Sequence, residues 1–327
     1  PGGFSATFPL GGFQGAGLDT GILATQRDSE MRPKPPTPAV INWHVTEACN
    51  YRCGYCYAHW DRPSRTEVIR DAGATRALLG ELYMHFRARS GGAQPRLNIA
   101  GGEPLLHRAR LLPVLRLARE IGFEVSMISN GSALDLPLLR ALASELSMLG
   151  LSLDAARPEV LAQIGRVDRH GRVLDLDALA RALQTVRDEG ADWTLKLNTV
   201  VCAPNWQEDL SGLVRRLAPA RWKVLRALPV VSRALEVSDA QFGAFVERHR
   251  ALSSVMVVED HADMEGSYIM VDPLGRFFQN RPGAFGYDYS PPILEAGAGR
   301  AFAQIGWSAL KFARRYTPAP AAAEVCA

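Results

Sequence analysis

Six short β-rich runs, alternating with stretches that carry apolar residues at helical spacing, constrain the fold of this chain more than any other feature. The runs are AVINWHV (39–45), RLNIAGGEP (96–104), FEVSMISNGS (123–132), SMLGLSLDA (147–155), WTLKLNTVVC (193–202) and RWKVLRALPV (221–230). Strands separated by helices at this interval specify βαβ units and a parallel sheet. Helices are expected over Glu67–Ala88 and over Leu105–Ile121, the second stopped by Gly122, and Ser238 with Gln241 three residues on forms the capping box of a final helix. The expected class is α/β, a partial (β/α)6 barrel of the TIM type with a C-terminal extension; a doubly wound open sheet fits the same spacing. Residues 1–38 are expected as a flexible segment, 39–250 as the barrel, 251–316 as an extension closing the site and 317–327 as a flexible tail. In α/β barrels the site lies at the C-terminal ends of the strands. The cysteine loop after the first run, GGEP after the second, SNGS after the third and SLD ending the fourth all fall there.

Composition removes several partner classes. With 47% hydrophobic and 22% charged residues the 327-residue chain reads as a soluble globular protein. A net charge of +3 is too small to argue for a nucleic-acid polymer. No run approaches the roughly 18 apolar residues of a transmembrane helix, and the first 38 residues lack the basic start and apolar core of a signal peptide. The chain opens on Pro1 rather than Met. Five cysteines, with Cys202 and Cys326 far apart, make no secreted disulfide framework, so a reducing cytoplasm is expected.

The other three cysteines, Cys49, Cys53 and Cys56, stand in NWHVTEACNYRCGYCYAHW as C-x-x-x-C-x-x-C. The spacing admits ordinary thiols, a disulfide, or a zinc site completed by His44 or His59. It also admits a [4Fe–4S] cluster, which normally takes four thiolates. Three would leave one iron open to an outside ligand.

The loop resembles that of the radical S-adenosylmethionine (SAM) superfamily, including the aromatic Tyr55 before the last cysteine. The resemblance implies a [4Fe–4S] cluster on Cys49, Cys53 and Cys56, with SAM on the open iron and Tyr55 beside its adenine. It implies that Gly101, Gly102 and Glu103 hold the SAM amino group, that Asn130 and Ser152 meet its ribose or carboxylate, and that Arg166 in IGR pairs with the carboxylate. Asn-Gly and Ser-Leu-Asp are equally good turn and cap sequences. From about Asn42 to Arg315 the chain is similar to the viperins, through ISNGS, LKLNTVV, RWKVLRAL, SYIMVDPLGRFFQN and SPPIL in addition to the cysteine loop and GGEP. Members of that family convert ribonucleoside triphosphates to 3′-deoxy-3′,4′-didehydro nucleotides and serve antiviral defence.

By this resemblance Lys196, Arg221 and Lys223, with Asn42 and Asn98, contact phosphate and ribose, and Arg314 and Arg315 close over the phosphates. Arg221 and Lys223 flank Trp222 and so share one face of a strand. The implied reaction removes the C4′ hydrogen and expels the 3′-hydroxyl as water, with Tyr268 as a proton or hydrogen-atom relay. A flavodoxin- or ferredoxin-type electron donor and a monomeric state are implied as well. Two departures stand out: Ala100 replaces the family's serine, and KFARRYTP replaces its C-terminal Gly-Gly run. A GTP cyclase-like or peptide-modifying radical SAM enzyme, or a non-catalytic iron–sulfur protein, are the other readings. The first of these needs a second cysteine cluster, which Cys202 and Cys326 do not make.

Overall fold

All six expected strands form, as β1 (Val40–His44), β2 (Arg96–Ala100), β3 (Glu124–Ser129), β4 (Met148–Ser152), β5 (Thr194–Val201) and β6 (Arg221–Arg226). The structure is a computed structural model that describes residues 38–56, 66–281 and 283–315, together with Gly2. Apart from Gly2 and Pro38, the segment 1–38 and the tail 317–327 expected to be flexible lie outside the described residues, as does His59. The described residues from Pro38 on belong to the unit that begins at Thr37.

Two strands beyond the expected six extend the parallel array at its edges. β7 (Met256–Glu259) pairs with β6, and β8 (Ile269–Val271) pairs with β1. β9 (Arg276–Asn280) and β10 (Tyr287–Pro292) follow antiparallel outside β8. The sheet order is therefore β10-β9-β8-β1-β2-β3-β4-β5-β6-β7. No ladder joins β7 to β8 among the described residues, yet Lys223 of β6 reaches Tyr268, just ahead of β8, at 2.9 Å. The parallel part is thus curled into a barrel with one unclosed seam.

Local chemistry sets the helix ends. The helix expected from Glu67 begins at Ala72 instead: α1 spans Ala72–Arg89 behind a 3₁₀ turn at Val68–Arg70, because the Asp71 side chain caps it by accepting from the Ala74 amide at 2.8 Å. Glu67 is buried and accepts from the Thr46 hydroxyl. A 3₁₀ turn, Pro104–His107, likewise precedes α2 (Arg108–Ile121), which Gly122 ends at φ 116°. That left-handed conformation suits glycine. α3 (Leu136–Ala143), α4 (Pro158–Ile164), α5 (Leu176–Asp188), α6 (Ser211–Leu217) and α7 (Asp239–Arg248) follow. Ser238 and Gln241 form the expected capping box on α7, but α7 is not final: short helices continue to Ala309–Arg314.

Period-2 alternation divides the strands between core and site. Ile41, Trp43, Leu97, Ile99, Leu149 and Leu151 are fully buried in the layer they share with Leu78, Leu82 and Phe86 of α1. Each such side chain contributes about 1.5–3 kcal/mol by leaving water. The alternate residues face inward and mix polar side chains, among them Asn42, Asn98, Ser126, Lys196 and Lys223, with apolar ones such as Val40, Met148 and Val200. Ser126 donates to Asn98 at 2.9 Å, Asn98 to Asn42 at 2.8 Å and Asn42 to the Ile269 carbonyl at 3.1 Å, a relay across four neighbouring strands. A closed eight-stranded barrel fills its middle with packed side chains. Here the inward face leaves a cavity of about 390 Å³.

Candidate active site

The cysteine loop forms one end of that cavity, and two neighbouring loops fix its path. The amides of Gly102 and Glu103 donate to the carbonyls of Thr46 at 2.7 Å and Ala48 at 2.8 Å, and those of Arg52 and Gly54 donate to Gly165 and Ile164, both at 2.9 Å. These approaches give the glycines of GGEP a reason additional to ligand contact. A Cβ on Gly101, at φ 139°, would lie 2.5 Å from the Thr46 carbonyl oxygen, and one on Gly102 would lie 2.6 Å from that of Glu47 and collide with Ala48. Gly102→Ala is expected to cost about 1–3 kcal/mol through overpacking and to lower the iron retained per chain. A denaturant melt with an iron assay checks both, and a variant with wild-type stability and iron content would refute the packing account.

The donor set fits a cluster. Cys49, Cys53 and Cys56 form no disulfide among the described residues, and the Cys49 sulfur accepts from the Tyr51 amide at 3.4 Å and the Asn130 side chain at 3.8 Å. Such N–H···S bonds tune iron–sulfur potentials. Burial pushes the Cys53 thiol up to about 12, so the positive charge of bound iron would be needed to hold it as a thiolate. Among the described residues no three His, Cys, Asp or Glu side chains are gathered to hold a single metal ion. Cluster ligands are spread further apart, each on its own iron. Burial also depresses His44 to about 3.

Of the residues expected on SAM, Tyr55, Gly101, Gly102, Asn130, Ser152 and Arg166 line the cavity. Glu103 does not. It is wholly buried and accepts from Leu105 at 3.1 Å, Ser129 at 2.8 Å and the Asn130 amide at 2.7 Å, so it braces GGEP against SNGS. Arg166 holds a carboxylate of the protein's own: Asp154, at 2.9 Å, which also accepts from the Tyr55 hydroxyl and from the Val200 amide at 2.9 Å. Burial, then Asp154, raises the Tyr55 phenol well above its usual range. Asn130 is bonded to Asn50 at 2.9 Å and accepts from Ser132.

Cationic side chains supply the other end. Arg96 and Arg221 open their strands and Lys196 lies third in its strand, so all three stand in the N-terminal halves, away from the cysteine loop. All line the cavity, with Lys223, Arg315 and, at the C-terminal end of its strand, Arg226; Arg314 is exposed and does not. Among the described residues, the buried Nε atoms of Arg96, Arg221 and Arg226 and the Lys196 amine find no hydrogen-bond partner. Burial, then the neighbouring Arg221, depresses Lys196 to about 7. Tyr268 accepts from Lys223 at 2.9 Å and donates to Glu259, while the Arg315 guanidinium lies 3.6 Å from the centroid of its ring. Ala100 lines the cavity with no hydroxyl to offer.

Sequence reasoning missed Arg96, Asn198, Asp154 and Glu259. Asn198 was readable by alternation from Lys196, and Asp154 as the charge ending LSLD. Nothing in VMVVED marks Glu259 apart from a charge closing a β-rich run.

A curled parallel sheet with three thiols on the loop after its first central strand defines a radical SAM enzyme, and the profile of the Radical SAM superfamily matches residues 43–201. An S-adenosylmethionine-dependent nucleotide dehydratase of Pseudoalteromonas ulvae is 41% identical over 85% of this chain and 92% of its own length, and one of Psychrobacter lutiphocae 36% identical over 85% and 94%. The S-adenosylmethionine-dependent nucleotide dehydratase RSAD2 of Danio rerio is 30% identical over 85% and 77%. The chain belongs to the family of S-adenosylmethionine-dependent nucleotide dehydratases. Its cofactors are a [4Fe–4S] cluster and SAM, as the superfamily requires. Among solved structures, anSMEcpe with bound AdoMet and Kp18Cys peptide superposes with a TM-score of 0.61 at 15% identity over 84% of each chain. SuiB of Streptococcus suis with its precursor peptide SuiA gives 0.55 at 12% over 74% and 59%. Identities this low establish the fold alone. No helix among the described residues is long and apolar enough to cross a membrane.

Proposed function

We propose that this enzyme dehydrates a ribonucleoside triphosphate to its 3′-deoxy-3′,4′-didehydro analogue. One observation carries the reading: a single cavity has the cysteine loop at one end and buried, incompletely partnered cationic side chains at the other. The nucleotide dehydratases to which the chain is similar supply the reaction class.

Cys49, Cys53 and Cys56 would hold the cluster, and Gly101, Gly102, Asn130, Ser152 and Tyr55 would surround SAM. When bound, this pair supplies a 5′-deoxyadenosyl radical able to take a hydrogen atom from carbon. The protein's own part is positioning. Lys196, Arg221, Lys223 and Arg315, with Arg96, would hold the triphosphate, and Asn42 and Asn98 would meet the sugar. Anchoring the polyanion deep in the cavity holds C4′ toward the cysteine loop, and selection of one carbon then follows from near-attack geometry. The segment 251–316 closes the site in this reading, since Tyr268, Asn280, Tyr287 and Arg315 all line the cavity. The Lys223–Tyr268 pair, which lines the cavity, would supply the proton that leaves with the 3′-hydroxyl. A cytoplasmic monomer, reduced by a flavodoxin- or ferredoxin-type protein and serving antiviral defence, completes the proposal.

Anaerobic incubation of the iron-loaded protein with SAM, a strong reductant and each ribonucleotide in turn tests it. Formation of 5′-deoxyadenosine coupled to one triphosphate is expected, and equal, uncoupled formation with all four would refute the assignment. A pH effect follows from Lys196. At about pH 8 a lysine near 7 is mostly neutral, and a polyanion favours its charged form. Triphosphate binding at that pH should therefore take up about one proton per site, and affinity should fall as pH rises through 7 to 9, roughly. Calorimetry in buffers of differing ionisation enthalpy checks this; proton uptake that persists in Lys196→Met would place the titrating group elsewhere.

A further inference from the structure

We propose that Glu259 is a positioning residue that sets the direction of proton flow through the Lys223–Tyr268 pair; this rests on the nucleotide dehydratase reading and deepens it. Lys223, Tyr268 and Arg315 all line the cavity, and all three converge on one carboxylate that does not. Glu259 ends β7 and is 3% exposed at its side chain. It is in ion-pair contact with Lys223, lies 3.3 Å from Arg315 Nε, and accepts from the Tyr268 hydroxyl. A buried acid is out of place in a cavity built for a polyanion unless it orders the cations around it.

The order follows from what each group can donate. Burial would raise the Glu259 carboxyl, but Lys223 and Arg315 outweigh it and hold the group at about 2, so it is ionised and only accepts. Tyr268 must then give its single hydroxyl hydrogen to Glu259, and the Tyr268 oxygen accepts from Lys223. Burial, then Arg315, pushes Lys223 well below its usual range, while the contact with ionised Glu259 favours its charged form; in that form Lys223 spends one N–H on Tyr268 and one on Glu259 and keeps a third with no partner among the described residues. Lys223 lines the cavity, so in its charged form that remaining N–H is the proton assigned to the leaving oxygen. In the dehydration the C3′–O bond of the C4′ radical breaks, the oxygen leaves as water with one proton from Lys223, and one electron from the external reductant completes the C3′=C4′ double bond. Neutralising Glu259 frees the tyrosine hydrogen to turn and removes the reason for Lys223 to present its own.

The test separates positioning from simple charge balance and from structural support. Inorganic tripolyphosphate is the binding probe, because it needs neither cluster nor turnover. Glu259→Gln should bind it more tightly than wild type, by about 3- to 10-fold, since a nearby negative charge is gone. The same substitution should lower kcat for the preferred nucleotide by about 10- to 100-fold, within the range for loss of a general acid. In a Tyr268→Phe background it should lower kcat little further, the non-additivity expected of one coupled unit. Tighter binding with unchanged kcat would reduce Glu259 to a counter-charge and overturn the proposal. So would weaker binding with reduced kcat, the mark of a structural role, and so would fully additive losses. If Glu259→Gln does not accumulate folded, Glu259→Asp keeps the charge but withdraws it by one methylene. It should lower kcat with tripolyphosphate affinity held within about twofold, and an unchanged kcat would overturn the proposal. Absence of turnover by the wild type with every nucleotide refutes the dehydratase reading instead, and leaves the tripolyphosphate comparison standing.

Discussion

Cys53→Ala is expected to yield a folded protein that assembles no stable cluster and forms 5′-deoxyadenosine at less than about a thousandth of the wild-type rate, a loss of at least ~4 kcal/mol in barrier terms. The reason is the donor count. In the proposed arrangement the loop's three thiols would all be needed by a cluster that keeps one position for SAM, and no other described cysteine than Cys202 is at hand to substitute. Cys202 packs in the same small apolar cluster as Cys53, but its amide is committed to Asn205 at 2.7 Å and burial pushes its thiol far up. Cys202→Ala should accordingly keep activity within about threefold, as befits a buried cysteine acting as a small hydrophobe. Iron and sulfide assays, with the visible absorbance of the cluster and anaerobic product analysis, read both variants. Full iron content in Cys53→Ala, or cluster loss in Cys202→Ala, would show the ligand set to be misassigned.

Asp154→Ala is expected to destabilise the protein by about 3–5 kcal/mol, the usual result of removing one partner of a buried ion pair. Asp154 is 0% and Arg166 4% exposed, so the guanidinium left behind has little solvent to turn to. The Val200 amide and the Tyr55 hydroxyl lose an acceptor in the same step. If the charge on Arg166 causes the loss, replacing both residues together, as Asp154→Leu with Arg166→Met, should recover at least half of it, because a well-packed apolar pair is often no worse than the ion pair. Urea unfolding of the iron-free protein measures each variant. A cost below about 1 kcal/mol for the single change, the value of an exposed pair, would mean that Arg166 finds water or another acceptor once Asp154 is gone.

Much of the site was readable because alternation is a local rule. The spacing of Arg221 and Lys223 about Trp222 put both on one face, and the structure buries Trp222 in the core while both cations line the cavity. What was not readable depends on residues far apart in sequence. Glu259 acquires its neighbours only when the sheet curls enough to bring β6, β7 and the start of β8 together. Glu103 stands in a motif that suggests ligand contact, and the partners it has in the fold, Ser129 and Asn130, come one unit later in the sequence. The glycines of GGEP look like a ligand cradle in one dimension; the close passage of the Thr46–Ala48 backbone, which requires them, appears only in three. Arg314 and Arg315 are indistinguishable as letters, and the last turn of a helix sends only the second to the cavity.

The unclosed seam has a consequence for how this chamber changes over time. Main-chain ladders fix the girth of an ordinary barrel, so resizing it means moving strands. Across the gap between β7 and β8 the span is made by side chains, Glu259 to Tyr268 and Arg315 to the Ser267 carbonyl at 3.1 Å. The bore of the vessel can therefore be retuned one codon at a time, with the surrounding scaffold left alone.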